Sequence, residues 1–309
     1  MIEETGYFRA YEPLTLRQSS LDTLGTVNAI VEQYEGAGLS LTLRQLYYQM
    51  VARGHIENND QEYNKLGRLV NQGRLQGLVS WTAIEDRTRS LRGLQTYETP
   101  ESAVEGIARS YRRDLWANQE WRPEVWIEKD ALSGVIQGVC NRHRVDFFAC
   151  RGHVSQSEMW RAGQRLASYI SKGQRPIIFH LGDHDPSGVH MTQDNRDRLT
   201  MFAGVPVMVI RLALNMDQIE ELKPVPNPAK LTDTRAQAYV EQYGYTSWEL
   251  DALDPAHIDR LIHENVDRLK DKDLWDRALL REVQEREYLA EIANIDLEDG
   301  SDNIGDDDD

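Results

Sequence analysis

From Ser19 to Tyr34, apolar residues fall at Leu21, Leu24, Val27, Ile30 and Val31, a recurrence that predicts an amphipathic helix ended by the Gly-Ala-Gly of residues 36–38. A second helix is expected from a cap at Ser40 or Thr42 to about Arg53, closed by Gly54. A third runs from a cap at Asn59 or Asp60 through Tyr63, Leu66, Leu69 and Val70 to Gly77. The stretch LVSWTAIEDRTR, residues 78–89, sets Trp81 and Ile84 among polar neighbours and reads as a strand or hairpin. Together these are the pattern of a helix-turn-helix with a wing, and equally that of a plain helical bundle. After Pro123 the pattern changes: VWIE, DFFAC, PIIFHLGD and VPVMVIRL are short apolar runs separated by helical stretches such as SEMWRAGQRLASYI. That alternation predicts a parallel sheet with crossover helices. From Asp251 onward the pattern is helical, with Pro255 near a helix start. The expected fold class is α/β. A helical domain spans 1–95, a polar connection with one helix 96–122, a Rossmann-like sheet with C-terminal helices 123–293, and a tail 294–309.

A chain of 309 residues has room for two domains, each with its own core. Its 40% hydrophobic and 28% charged residues are ordinary for a water-soluble protein, and no apolar run approaches the roughly 20 residues of a membrane span. The start, MIEETGYFRAYEPL, lacks the regions of a signal peptide, and Cys140 and Cys150 form neither a metal pair nor a disulfide framework, so a cytoplasmic location is expected. The net charge of −16 argues against a nucleic-acid partner until its distribution is considered. NIDLEDGSDNIGDDDD carries eight acids and no base, which leaves −8 for the body, and residues 41–92 carry eight Arg or Lys against five acids. A local basic face is therefore available. The tail has almost nothing apolar to bury and reads as disordered.

In open α/β sheets, ligands and metals gather at the carboxyl ends of the strands. Glu128 closes VWIE, and Asp183 and Asp185 close IIFHLGDHD at a spacing that lets both face one mouth of the sheet. Oxygen donors of this kind suit Mg²⁺, which keeps waters for a phosphate to replace. Each acid also has a plainer reading: Asp185 before Pro186 is a good helix N-cap, and Glu128 beside Lys129 is an ordinary surface charge. His180, His184 and His190 flank the acids, but their spacing is that of no familiar zinc signature, so they read as core or surface histidines.

Glu128 in EVWIEKDAL and Asp183 with Asp185 in LGDHDPSG resemble the Toprim domain, the Mg²⁺-binding module of topoisomerases, primases and some nucleases. Upstream, LTLRQLYY resembles the catalytic winged-helix motif of the A subunit of type IIB DNA topoisomerases (topoisomerase VI) and of its meiotic double-strand-break relative. WELDAL, residues 248–253, resembles a short Glu-containing motif that follows the Toprim core in those proteins. The similarity spans residues 40–255, and the chain has the compact size of phage- and plasmid-borne members.

The resemblance implies that Tyr48 attacks a phosphate of double-stranded DNA, leaving a 5′-phosphotyrosyl bond and a free 3′-hydroxyl. It further implies a homodimer in which each tyrosine works with the partner's Toprim acids. A helical wheel agrees on the tyrosine: Leu43, Leu46, Tyr47, Met50 and Val51 share the apolar face, and Tyr48 falls at its polar edge, one turn after Arg44. A phenol ionises near pH ~10, so it needs help at neutral pH. Arg44 favours the phenolate and can grip the phosphate, while Mg²⁺ on Glu128 and Asp183 neutralises developing charge, with Asp185 completing the site or binding a second ion. DNA holding is expected from Lys65, Arg68, Arg74, Arg87, Arg89 and Arg92, as phosphate contacts that carry no sequence preference.

The family couples cleavage to ATP through a separate B-type ATPase subunit, and this sequence carries no P-loop of its own. Two alternatives stand beside this reading. One is a Toprim nuclease of a mobile-element or defence system using metal-activated water. The other is a non-catalytic DNA-binding protein with a structural acidic cluster. The expected setting is the cytoplasm, on nucleoid DNA.

Overall fold

The first three helices form where the periodicity predicts them: α1 (Gln18–Gly36), α2 (Leu43–Ala52) and α3 (Asp60–Leu75). Of the two candidate caps, Thr42 starts α2. Its hydroxyl accepts from Gln45 N–H at 3.3 Å and the Gln45 side chain accepts from Thr42 N–H at 2.8 Å, a reciprocal box worth about 1 kcal/mol. Asn59 caps α3 through Glu62 N–H, and Gly54 takes the left-handed conformation that closes α2. Leu24, Val27, Ile30, Leu46, Met50, Leu66 and Val70 pack together as their core. The structure, a computed structural model, describes residues 8, 10–11, 15–37, 39, 41–82, 84, 94 and 96–293.

The expected strand or hairpin over 78–89 differs in its described part. Residues 81–82 form a turn, and Ile84 makes a single parallel bridge to Leu41. The Arg74 guanidinium explains the difference, because it donates to the carbonyls of Trp81 and Ile84 and takes acceptors that a strand partner would use. Residues 83 and 85–89 lie outside the described residues.

The chain continues through α4 (Pro100–Ser110) into an α/β region: β1 (Trp121–Ile127), α5 (Ser133–His143), β2 (Asp146–Ala149), α6 (Gln156–Ser171), β3 (Arg175–Leu181), α7 (Pro186–Ala203) and β4 (Met208–Ala213). The four strands form one parallel sheet in the order β2-β1-β3-β4. This is the α/β architecture of a Rossmann-like domain. Each apolar run noted in the sequence becomes one strand, since a strand covered on both faces needs apolar residues throughout. Trp126, Met159, Leu166, Ile178, Met191 and Leu199 are buried between sheet and helices. Then follow α8 (Met216–Leu222), β5 (Pro226–Pro228), α9 (Ala236–Tyr243), β6 (Thr246–Trp248), α10 (Pro255–Asp267) and α11 (Lys272–Ala293). The two short strands pair antiparallel.

The chain divides into two compact units. The first comprises Met1–Ser90 with Glu120–Leu269, and so holds α1–α3 and the sheet together. The second comprises Leu91–Gln119 with Lys270–Asp309, in which α4 packs along α11, Tyr111 donates to Glu285 at 2.7 Å, and Trp116 meets Trp275 edge to face. Among the described residues, no helix is long and apolar enough to cross a membrane.

Candidate active site

β1 and β3 are neighbours in register, with Ile127 opposite Leu181, so the residues that follow them emerge side by side. Glu128 N–H still donates to Leu181 O at 2.9 Å, and the Glu128 carboxylate accepts from Asp183 N–H at 2.8 Å. Two acids 55 positions apart in sequence are thereby tied across one strand pair. Asp185 caps α7 through Gly188 N–H at 2.7 Å, so the N-cap reading of that residue holds. The turn that carries these acids is crowded. A methyl group at Gly188 would overlap the Asp183 carbonyl oxygen, so only glycine fits there, and one at Gly182 would lie 2.8 Å from Glu128 Oε2 and displace that carboxylate. Beneath it the half-buried Arg211 donates to the carbonyls of Gly182 (3.0 Å), Asp183 (2.5 Å), Gly188 (2.8 Å) and Leu214 (3.1 Å). One guanidinium thus fixes the loop from the strand alongside.

Burial, then the neighbouring Asp183 and Asp185 carboxylates, push Glu128 up to about 7. Burial also raises Asp183, although Lys129 beside it pulls the other way. Asp183 Oδ1 accepts from Leu250 N–H at 2.8 Å, which brings in the WELDAL segment. Lys129 is the hub. Its ammonium lies 2.7 Å from Asp251 Oδ2, 2.9 Å from Asp183 Oδ2 and 3.0 Å from Glu249 Oε2. Burial pushes Glu249 up, but Lys129 and Arg44 together hold it below the usual carboxylate range.

Arg44, on the first turn of α2, donates to the same Glu249 oxygen through Nε (3.1 Å) and Nη2, and its guanidinium lies 5.9 Å from the centre of the Tyr48 ring. A continuous line of charge therefore runs from beside Tyr48 through Arg44, Glu249 and Lys129 to Asp183, within one compact unit.

The exposure inferred for Tyr48 is corrected by the structure. Tyr48 is only 4% exposed, and burial raises its hydroxyl above the ordinary phenol value despite the Asn227 hydrogen bond and Arg44. The wheel sorted α2 by its own periodicity, but residues 250–252 pack on that helix and Asn227 of β5 reaches the hydroxyl at 3.4 Å. Both covers come from the distant end of the unit, which no local pattern reveals. Tyr47 is the core residue expected; its hydroxyl donates to Asn58 Oδ1 at 2.9 Å and lies 3.2 Å from Asn59 O.

Of the expected DNA contacts, Lys65 is exposed and pairs with Glu62 at 3.2 Å, and Arg68 is exposed on the same helix. Arg74 is half-buried and committed to the Trp81 and Ile84 carbonyls, with burial lowering it. Arg87, Arg89 and Arg92 lie outside the described residues, as does the acidic tail. His180 is buried against Thr192 at 2.8 Å, His184 contacts the Tyr239 hydroxyl at 2.9 Å, and His190 is exposed beside His153 at 3.4 Å.

Sequence reasoning assigned no role to Lys129, Asp251, Asn227 or Arg211. The available signal was WELDAL, whose Glu249 and Asp251 are the two carboxylates that reach Lys129 and Arg44. Among the described residues, no group of three or more His, Cys, Asp and Glu side chains stands ready around a metal position. The donors are nevertheless all oxygen, and Asp251, 1% exposed, has an Oδ1 with no hydrogen-bond partner. That donor chemistry fits a hard divalent cation rather than zinc. Compared with known proteins, the chain matches no family model and no curated sequence.

Proposed function

We propose that the protein cleaves double-stranded DNA by transesterification, with Tyr48 as nucleophile, in the manner of the A subunit of a type IIB topoisomerase. The observation that supports this reading is the ion-pair line from Arg44 through Glu249 and Lys129 to Asp183. It joins a tyrosine-bearing helix to a carboxylate cluster at the carboxyl ends of two parallel strands, in the region where α/β folds keep their chemistry.

In this reading α1–α3 with the segment after them form a winged-helix domain, and the sheet is a Toprim domain. Mg²⁺ would be held by Glu128 and Asp183, with Asp185 completing the set, and when bound it supplies positive charge against the phosphate oxygens. The chain's own residues do the rest. Arg44 presents a fork to the scissile phosphate, which must compete with Glu249 for it, and the cover of Asn227 and residues 250–252 must shift for Tyr48 to reach the phosphorus. The Tyr48 oxygen bonds to phosphorus and its proton passes to solvent. The 3′-oxygen leaves with the electrons of the broken P–O bond and takes up a proton. The ion-pair line lies within one chain, so in this arrangement Tyr48 stands near its own chain's acids rather than the partner's. Two copies acting on opposite strands would give a double-strand break, with Lys65 and Arg68 touching phosphates. A separate B-type ATPase would be the partner for strand passage, on nucleoid DNA in the cytoplasm.

The burial of Tyr48 favours a second reading, in which the same carboxylates serve a Toprim nuclease, water attacks the phosphorus, and Tyr48 is packing. Denaturing Mg²⁺-dependent reactions on end-labelled duplex separates the two, because only transesterification leaves label bound to protein.

A further inference from the structure

The Lys129 ammonium donates to Asp251 and Glu249 and stands as an ion pair 2.9 Å from Asp183 Oδ2, so three carboxylates surround it. Asp183 Oδ1 already accepts from Leu250 N–H, which leaves Oδ2 as its freer oxygen. That remaining oxygen is the one facing the ammonium, at 2.9 Å. A Mg²⁺ ion ~2.0–2.1 Å from that oxygen would stand close to the ammonium, so the two cations repel each other and compete for the same carboxylate charge. Even with Arg211 counted, the carboxyl groups of Glu128, Asp183, Asp185, Glu249 and Asp251 outnumber the cations Lys129, Arg44 and Arg211 around them. Asp183, Glu249 and Asp251 face Lys129 and Arg44, Glu128 stands beside them, and the buried Oδ1 of Asp251 has no donor.

We propose that Lys129 is a tethered occupant of the divalent-cation site, its ammonium holding the place beside Asp183 in the DNA-free chain and leaving it when the ion enters. The inference rests on the Mg²⁺ reading above and deepens it. Entry of the ion breaks the Lys129–Asp183 pair, so the chain alone binds divalent cations weakly. A phosphodiester that draws the freed ammonium to itself strengthens ion binding, and by linkage the ion strengthens DNA binding by the same factor. The device keeps the metal site closed until the anionic substrate is present.

The test is direct binding of Mn²⁺ to the full chain, read by the loss of the free-ion paramagnetic resonance signal. Lys129→Gln removes the occupant's charge and should tighten Mn²⁺ about tenfold or more relative to wild type. Lys129→Arg retains a cation over the carboxylates and should stay within roughly threefold of wild type. If wild type binds Mn²⁺ and Lys129→Gln binds it no tighter, the occupant role is overturned while the metal reading stands. If neither protein binds, both fall.

Because Lys129→Gln leaves clustered carboxylates unneutralised, a measurement on wild type guards against a folding defect. Acylation of lysines, quantified by mass spectrometry, should rise several-fold at Lys129 on saturation with Mn²⁺, with Lys223 and Lys230 as unchanged references. Unchanged labelling of Lys129 at saturating Mn²⁺ overturns the proposal.

Discussion

Tyr47 and Tyr48 are adjacent and chemically alike, and what separates them is the partner each hydroxyl meets. Tyr47 donates to Asn58 at 2.9 Å, whereas Tyr48 has only a long contact from Asn227 at 3.4 Å. Tyr47→Phe should therefore cost about 1 kcal/mol in urea unfolding and Tyr48→Phe clearly less, an order that the reverse result would contradict. The wheel of α2 placed Tyr47 in the core but wrongly set Tyr48 apart from it, because Asn227 and residues 250–252 bury that ring just as fully. Glu128 carries a second residue-scale expectation. With its carboxyl at about 7 against an ordinary 4.5, the folded chain keeps a proton that the unfolded chain has lost, so stability falls as pH rises from 4.5 through 7. On the proposed reading, a divalent ion would replace that proton. Mg²⁺ should raise Tm at pH 8 and have little effect at pH 6, and equal gains at both would argue against Glu128 as a ligand.

At the scale of elements, the mouth of the sheet depends on how tightly α7 begins. The first turn of α7 meets the Asp183 carbonyl where only Gly188 fits, while Gly163 of α6 lets that helix close on Phe202 at the far end of α7. Alanine at either position forces overpacking and should cost roughly 1–3 kcal/mol in denaturant. Only Gly188→Ala should also weaken Mn²⁺ binding per folded molecule, and a loss of equal size in Gly163→Ala would mean that the acids respond to general loosening. These elements also divide by legibility. β1 to β4 are buried apolar runs and could be read directly, and α1 to α3 followed from caps and spacing. The segment after α3 and the β5–β6 pair could not. The former is organised by Arg74 acting on the carbonyls of Trp81 and Ile84, and the latter by Ser247 Oγ on the carbonyls of Asn227 and Pro228. Polar side chains acting on distant backbone leave no hydrophobic period to detect.

For the whole molecule, charge distribution would govern the encounter with DNA that the proposed function requires. The eight acids of the last sixteen residues account for half of the net −16 and, on the proposed reading, would compete with phosphates for basic side chains such as Lys65 and Arg68. Truncation after Ala293 should tighten DNA binding at low salt, with the difference fading as the Debye length falls to about 8 Å at physiological ionic strength. An affinity unchanged at every salt concentration would leave the tail no part in DNA binding. The central claim is the covalent step itself, and one measurement addresses it most directly. Full-length protein is incubated with end-labelled duplex and Mg²⁺, denatured rapidly and digested, and the modified peptide is sequenced by mass spectrometry. The account predicts label retained on protein, released by protease, mapped to Tyr48 and absent in Tyr48→Phe but not in Tyr47→Phe. Cleavage that persists in Tyr48→Phe, or protein-free 5′-phosphates from the first turnover of wild type, would contradict it and assign the attack to water.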